Sequence, residues 1–192
     1  GSYGTNGFYL PFKNDYSVEG FSTVTYRGSG GARYIGGVGF QPDFVWIKRR
    51  NGNGSHRLTD AVRGTDKAIE SNTTDAERTG VNLLHSFDSD GFTVDDDGSF
   101  NGNNDTFASW NWKAGGGQGS SNTDGSINTT YTSVNTTAGF SISSYTGTGS
   151  NATVGHGLGV APKMVIIKKT SGSDDWKVYH ASVGATKSLV LQ

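Results

Sequence analysis

The sequence predicts an all-β protein made of tandem β-sandwich or jelly-roll-like modules joined by a Gly/Ser linker. Gly, Ser, Thr and Asn supply 87 of the 192 residues, and these residue types favour turns over helices. Hydrophobic residues make up only 32% of the chain, but aromatic residues make up 11%, which argues against disorder. Many short strands joined by Gly- and Asn-rich turns account for both observations.

An internal repeat gives the domain organisation. Residues 20–36 align with 139–155, and residues 37–72 align with 157–192 after one insertion at His156, with 17 identities in 53 positions. A repeat of this length and order indicates duplicated domains. We therefore predict the end of a preceding segment or linker at 1–19, a first module at 20–114, a linker rich in Gly, Ser, Thr and Asn at 115–137, and a second, truncated copy of the module at 138–192.

Hydrophobic patterns identify the strands. Residues 140–145 alternate with period two, which is typical of a half-buried strand. Residues 44–47 and 164–167 are continuous apolar runs, which indicate central strands buried on both faces. Each run follows a proline, which belongs at the start of a strand because it has no N–H. Further strands are expected at 91–94, 106–112, 176–180 and 187–191, and one helical turn is considered within 66–78.

The linker and the shorter second copy lead to two further expectations. A Gly/Ser-rich chain of 12 residues, 114–125, reaches roughly 20 Å and would allow the modules to move separately unless oligomer contacts fix them. Gln192 aligns with Asn72, so the second copy has no counterparts of the strands near Phe92 and Trp110. We expect either a longer polypeptide or a neighbouring chain to complete the fold, because natural sheets avoid exposed edges.

Composition also excludes several classes of function. The net charge of −1 does not give the basic surface of a nucleic-acid-binding protein. The absence of cysteine excludes disulfides and thiol catalysis. No run of 18 apolar residues is present, so we expect no membrane insertion, and no signal-peptide pattern is visible. No cofactor is predicted.

The best sequence candidate for a ligand site is a sugar-binding site around Trp176. An aromatic platform with nearby carboxylates is typical of sugar recognition, and the candidate residues are Trp176, Tyr179, Asp174 and Asp175. The alternative is that Trp176 belongs to the core.

A second candidate is a calcium site in the segment 95–105. Its hard oxygen ligands would come from Asp95, Asp97, Asn101 and Asp105. The segment lacks a glutamate at the twelfth loop position, so the alternative is a polar hairpin tip in which Asp, Asn and Gly provide the turn.

No catalytic constellation is present in the sequence. The four histidines, His56, His85, His156 and His180, have no metal-ligand or triad spacing, and no G-x-S-x-G motif occurs. We therefore do not expect an enzyme.

Two long strings resemble repeat modules of tail-fibre and other structural proteins of marine bacteriophages. One is Gly-His-Gly-Leu-Gly-Val-Ala-Pro-Lys-Met-Val-Ile-Ile-Lys at 155–168, followed by Trp-Lys-Val-Tyr-His at 176–180. The other is Gly-Phe-Gln-Pro-Asp-Phe-Val-Trp-Ile-Lys at 39–48, with Trp-Asn-Trp-Lys-Ala at 110–114. The resemblance implies a virion appendage and a module of unknown function, with no catalytic or ligand residues to carry over.

The expected function is that of a bacteriophage virion structural protein, in a tail fibre or related appendage, which mediates host-surface adhesion or acts as a spacer. Its expected partners are copies of itself, with a trimer favoured, other virion proteins and a host surface glycan. The alternatives are a virion-associated polysaccharide-degrading enzyme and a secreted carbohydrate-binding module.

Overall fold

Short antiparallel strands form nearly all of the regular structure. The structure is a computed structural model, and it describes residues 18–191, so most of the predicted segment 1–19 lies outside the described residues. The all-β prediction is confirmed. The elements are β1 (Phe21–Arg27), β2 (Arg33–Gly36), β3 (Phe44–Arg49), β4 (Arg57–Asp60), β5 (Gly64–Glu70), β6 (Arg78–Thr79), β7 (Leu84–Asp88), β8 (Gly91–Val94), α1 (Gly98–Asn101), β9 (Thr106–Trp112), β10 (Tyr131–Asn135), β11 (Phe140–Ser144), β12 (Met164–Ile167), β13 (Lys177–His180) and β14 (Leu189–Val190).

A six-stranded antiparallel sheet lies within residues 20–114. Its strand order is β1-β9-β3-β4-β5-β6. We use the name first module for the range 20–114 and the name second module for the range 138–192. The apolar run in β3 lies between β9 and β4, and its inward residues Val45 and Ile47 are almost fully buried. The prediction of a central strand is therefore confirmed for β3, but only one of its faces is buried, since Phe44 and Trp46 on the other face are partly exposed.

A three-stranded sheet with the order β2-β8-β7 contributes to the same core. The apolar cluster at the centre of the first module contains residues from both sheets and from α1. Phe92 of β8, Phe107 of β9 and Phe100 of α1 are fully buried in it. The opposite face of the six-stranded sheet carries Phe44 and Trp46, which pack against a cluster formed by Leu58, Ile69 and Trp176.

Strands β12, β13 and β14 repeat the pairing of β3, β4 and β5. Met164 pairs with His180, as Phe44 pairs with Asp60 in the first module. The strand that follows is paired in the same register in both modules. The turn between the second and third of these strands also agrees, since the aligned glycines Gly64 and Gly184 have φ values of 105° and 89°. A side chain at these φ values would be strained, which explains why both turns use glycine.

The burial of β12 differs from the prediction. The run 164–167 was expected to be a central strand buried on both faces, but β12 lies at the edge of a three-stranded sheet with the order β12-β13-β14. Its side chains Met164, Ile166 and Ile167 are exposed. The prediction was wrong because an apolar run shows only that the side chains of a strand favour burial. Burial also requires neighbouring strands, and within residues 18–191 β12 pairs only with β13.

Two other local features differ from the sequence interpretation. Residues 66–78 contain part of β5, a turn and the start of β6, and the single helical turn occurs instead at 98–101. Strand β10 lies inside the predicted linker 115–137 and pairs with β11. Backbone hydrogen bonds from Ser120 and Thr132 to each other's carbonyl oxygens attach the segment before β10 to that hairpin. Within residues 18–191, no helix has the length and apolar character needed to cross a bilayer.

Candidate functional site

Trp176 is a packing residue between the two modules. It is 3% exposed and belongs to an apolar cluster with Leu58 and Ile69 of the first module. Its indole Nε1 donates hydrogen bonds to the backbone oxygens of Glu70, at 2.9 Å, and Thr73, at 3.1 Å. An enclosed ring has no free face for a sugar, so this placement corresponds to the core alternative.

The other three residues of the predicted sugar site lie in or beside the same hairpin. The backbone N–H of Asp174 donates to the Thr74 oxygen at 2.9 Å, which attaches the hairpin to the first module. The Asp175 carboxylate accepts a hydrogen bond from Lys177 Nζ at 2.8 Å. Tyr179 is in β13. The structure thus places Asp174, like Trp176, at a contact with the first module.

The predicted calcium ligands serve other partners. Asp97 is the N-cap of α1 and accepts hydrogen bonds from the Ser99 backbone N–H, at 2.9 Å, and from Arg78 Nη2, at 2.5 Å. Burial favours the protonated acid, but these hydrogen bonds outweigh it and lower the pKa of Asp97. Asp95 lies 3.3 Å from His85 Nδ1.

Asn101 and Asp105, the other two predicted calcium ligands, also bind protein partners. Asn101 is fully buried, and its amide nitrogen donates to the Gly31 oxygen at 2.6 Å and to the Asp95 oxygen at 2.8 Å. Asp105 forms an ion pair with Arg49 at 3.2 Å. In the part of the chain that the structure describes, no group of three His, Cys, Asp or Glu side chains is close enough to hold a metal ion. The segment 95–105 is not the predicted hairpin tip either, because it joins β8 and β9, which lie in different sheets, and it contains α1 with the fully buried Phe100 and Asn101.

The sequence interpretation missed a buried carboxylate, that of Asp43, which contacts the start of the linker in space. Asp43 is fully buried, and its carboxylate accepts the backbone N–H groups of Ala114 at 2.7 Å, Gly116 at 2.9 Å and Gly117 at 2.6 Å. This contact, which we call the Asp43 clasp, fixes the path of the chain as it leaves β9. A sequence signal for it exists in the repeat: the position aligned with Asp43 is Lys163, so the aspartate is particular to the first copy.

An aromatic cluster joins the modules beside the clasp. This aromatic junction consists of Phe21, Phe44, Trp112 and Phe140. The Trp112 and Phe140 rings are stacked with centroids 6.0 Å apart, and the Phe21 and Phe44 rings lie 4.9 and 5.3 Å from Trp112. Such ring pairs stabilise an interface beyond the area that they bury.

An open cavity of about 370 Å³ lies at the aromatic junction. Its size falls within the range of small-molecule sites. The lining combines aromatic rings with small residues and one exposed carboxylate, and consists of Val18, Glu19, Gly20, Phe21, Trp112, Ala138, Gly139 and Phe140. This junction cavity is our candidate functional site, because its lining residues include three aromatic residues and the exposed acidic residue Glu19.

A second open cavity, of about 490 Å³, lies between the segment 115–137 and the second module. Its polar groups come from Asp124 and His156, and the rest of its lining is mainly glycine and small apolar residues. The His156 Nδ1 atom accepts the Leu158 backbone N–H at 3.1 Å, and the His156 oxygen accepts a hydrogen bond from Ser141. These contacts assign His156 to the turn that it was predicted to occupy.

His56 lies on the outer face of the six-stranded sheet, next to Trp46. The Trp46 Nε1 atom donates to His56 Nδ1 at 2.8 Å, so this nitrogen carries no proton. Burial and the positive charge of Lys48 lower the pKa of His56. The ring of His56 therefore packs against Trp46.

Comparison with known families gives one match. A model of a domain of unknown function, DUF7483, matches residues 16–192. The chain belongs to this family. No curated protein and no solved structure matches it.

Proposed function

We propose that this member of the DUF7483 family is a structural protein of a bacteriophage virion, part of a tail fibre or related appendage. In that role it contacts the host surface or separates other parts of the appendage. The observation that carries the proposal is the junction between the modules, where the Asp43 clasp, the buried Trp176 and the aromatic junction hold the two modules together. An appendage that spans a distance requires units whose relative positions are fixed.

We infer that residues 20–114 and 138–192 are tandem copies of one module and that the first is a β-sandwich. The inference is supported by the strand register common to the two regions and by a core to which two sheets of the first module contribute. Face-to-face packing of two sheets around one core defines a sandwich.

Homo-oligomerisation, with a trimer as the favoured state, belongs to the same proposal, as do contacts with other virion proteins. The chain contains no cysteine, so its stability depends on packing. Two exposed apolar side chains in the first module, Tyr34 at 52% and Val81 at 90%, offer surface for such contacts.

We further propose that the junction cavity is where a host surface glycan would bind. The apolar face of a sugar ring can stack on Phe140 and Phe21, and the Glu19 carboxylate can accept a hydroxyl hydrogen bond. Repeated copies in an oligomer would multiply a modest affinity at each site.

Labelling of intact particles tests the virion assignment. An antibody raised against the purified protein is applied to particles from infected marine bacteria and viewed by electron microscopy. Labelled appendages on particles are the expected result. Unlabelled particles from a lysate in which the same antibody detects the free protein would overturn the assignment.

A binding assay tests the glycan site separately. Purified protein is applied to an array of host surface polysaccharides together with Glu19→Gln and the matched control Asp96→Asn, which changes an exposed carboxylate away from the cavity. Binding that Glu19→Gln weakens and Asp96→Asn preserves is expected. Absence of binding leaves the spacer role, and release of reducing ends from a polysaccharide would instead favour the enzyme alternative.

A further inference from the structure

The chain contains several Asn-Gly pairs, at which an asparagine side chain can react with the backbone that follows it. Asn51-Gly52, Asn53-Gly54 and Asn101-Gly102 lie in the described residues, and Asn6-Gly7 lies outside them. In this reaction the backbone nitrogen of the glycine attacks the asparagine Cγ. Glycine permits the attack because it has no Cβ and restricts the backbone least. The structural environment of each pair then decides whether it reacts.

The pair Asn101-Gly102 is held in the helical turn α1 and the residue after it. Asn101 is fully buried, and its amide nitrogen donates to the backbone oxygens of Gly31 and Asp95. The Gly102 N–H donates to the Gly98 oxygen at 3.2 Å, so the attacking nitrogen also has a partner. Both groups would have to leave their partners before the reaction.

The side chain of Asn51 is exposed, but both of its polar atoms are held. Its Oδ1 atom accepts the Thr106 backbone N–H at 3.1 Å, and its Nδ2 atom donates to Asp105 at 3.2 Å. These hydrogen bonds attach the amide to the start of β9. The amide must leave them before it can turn toward the Gly52 nitrogen and lose ammonia.

Neither restraint applies to Asn53. Its side chain is exposed and, within residues 18–191, forms no hydrogen bond. Over the same residues, the Gly54 N–H donates to no backbone oxygen. The electrophilic carbon and the attacking nitrogen are therefore both accessible at this pair.

Positive charge lies beside the loop that contains Asn53. Residues 48–56 include Lys48, Arg49 and Arg50 and no acidic residue. The Lys48 Nζ atom donates to the Gly52 oxygen at 3.4 Å, which places an ammonium group at the loop. The attack makes first the glycine nitrogen and then the asparagine oxygen negative, and a nearby cation stabilises a negative group. The charge therefore favours the reaction in this loop.

We propose that Asn53 is a site of spontaneous covalent modification, at which the amide is converted to aspartate and isoaspartate. The Gly54 nitrogen loses its proton to solvent hydroxide and bonds to the Asn53 Cγ. The Cγ–Nδ2 bond breaks, ammonia leaves with a proton from water, and a five-membered succinimide results. Water then opens the ring at Cγ, which gives aspartate, or at the backbone carbonyl, which gives isoaspartate. The net change is the gain of water and the loss of ammonia, with no oxidation or reduction.

Either product gives the loop an exposed carboxylate in place of a neutral amide. The net positive charge of residues 48–56 falls by one. Isoaspartate also lengthens the main chain, because the backbone then runs through Cβ and Cγ. The proposal does not depend on a virion origin for the protein.

Peptide mapping by mass spectrometry tests the proposal on the whole chain. The folded chain is kept in mildly alkaline buffer, and samples taken over time are digested with trypsin. The tryptic peptide 51–57 contains both loop asparagines, and fragmentation distinguishes them. Asn53 should convert about tenfold faster than Asn51 or Asn101, the ratio that corresponds to a hydrogen bond of ordinary strength. In urea, the three rates should become similar.

Two kinds of variant separate the reaction from its structural control. Gly54→Ala should slow the conversion of Asn53, because the added Cβ lies beside the attacking nitrogen, whereas the matched Gly52→Ala should slow only Asn51. Asp105→Ala removes one hydrogen bond of Asn51 and should speed the conversion of that residue. Tryptophan fluorescence shows that each variant is folded.

Three results would overturn the proposal. The first is conversion of Asn51 or Asn101 as fast as Asn53 in the folded chain. The second is an Asn53 rate that Gly54→Ala does not lower. The third is an unmodified Asn53 in the folded chain under conditions that convert it in urea.

Discussion

The carboxylate of Asp43 and the backbone N–H of Gly117 form a 2.6 Å hydrogen bond between the residue immediately before β3 and the segment that follows β9. Two more backbone N–H groups, from Ala114 and Gly116, point to the same carboxylate. A carboxylate removed from water needs such donors, because an ionised group buried without partners is strongly destabilising. The glycines let the chain turn closely around it.

We expect Asp43→Asn to lower the free energy of unfolding by on the order of 3 kcal/mol. The amide removes the charge and places an NH₂ group against N–H donors, so hydrogen bonds to a charged group are lost. Urea denaturation followed by tryptophan fluorescence measures the change, with the exposed Asp96→Asn as control. Equal midpoints for both variants would mean that the clasp contributes no stability.

Trp176→Ala should destabilise the protein by about 3–5 kcal/mol, the range for a buried large aromatic. Trp176→Phe should cost less, because it keeps a ring against Leu58 and Ile69 and loses only the hydrogen bonds of the indole. Thermal unfolding of both variants provides the measurement. Tyr145→Ala, at a 39% exposed aromatic, is the control. Normal stability of Trp176→Ala would contradict the packing role.

The stability of the protein should depend on pH through His56. The pKa of His56 is lowered in the folded state by burial and by Lys48, so the unfolded chain binds more protons between the two pKa values. The free energy of unfolding therefore falls as the pH drops below about 6.5, the value for an unperturbed histidine. It stops falling below the folded-state pKa.

Urea midpoints at several pH values between 7.5 and 5.5 test this, with His56→Gln as the comparison. The wild type should lose more stability than the variant over that range. Parallel curves would show that His56 does not contribute to the pH dependence.

Calcium should leave the melting temperature unchanged, because Asp95, Asp97, Asn101 and Asp105 each have a protein partner. Differential scanning calorimetry in calcium and in a chelator measures this. Asn101→Ala should instead lower the stability by roughly 1–3 kcal/mol, because it leaves buried backbone groups without partners. A calcium-dependent rise in melting temperature that Asn101→Ala abolishes would restore the metal interpretation.

Much of the strand pattern could be predicted because it depends on local order in the chain. Residues 91–94 and 106–112 are strands β8 and β9 with the predicted bounds. The edge position of β12 could not be predicted, because its apolar run matches that of β3 and the two strands differ only in their neighbours. Strand pairing is a non-local property that periodicity does not encode.

The candidate site was harder to predict than the strands. The sequence predicts a sugar-binding role for Trp176 and Asp174. The same residue types, however, occur both in a solvent-exposed sugar-binding surface and in a buried contact between modules. The difference depends on residues about 100 positions away, such as Glu70 and Thr74. Asp43 was missed because a single aspartate after a proline looks like an ordinary turn residue until the glycines that surround it in space are known.

The pairing of Phe21 with Trp112 has a mechanical consequence. These residues are cross-strand partners at one end of β1 and β9, so the chain enters and leaves the first module at the same end of the sheet. Tension applied along the polypeptide would peel β1 from β9 one residue pair at a time, instead of shearing all seven pairs together. Among the contacts between β1 and β9, the hydrogen bond from the Lys113 N–H to the Gly20 oxygen, at 2.8 Å, and the Phe21–Trp112 ring contact would be loaded first.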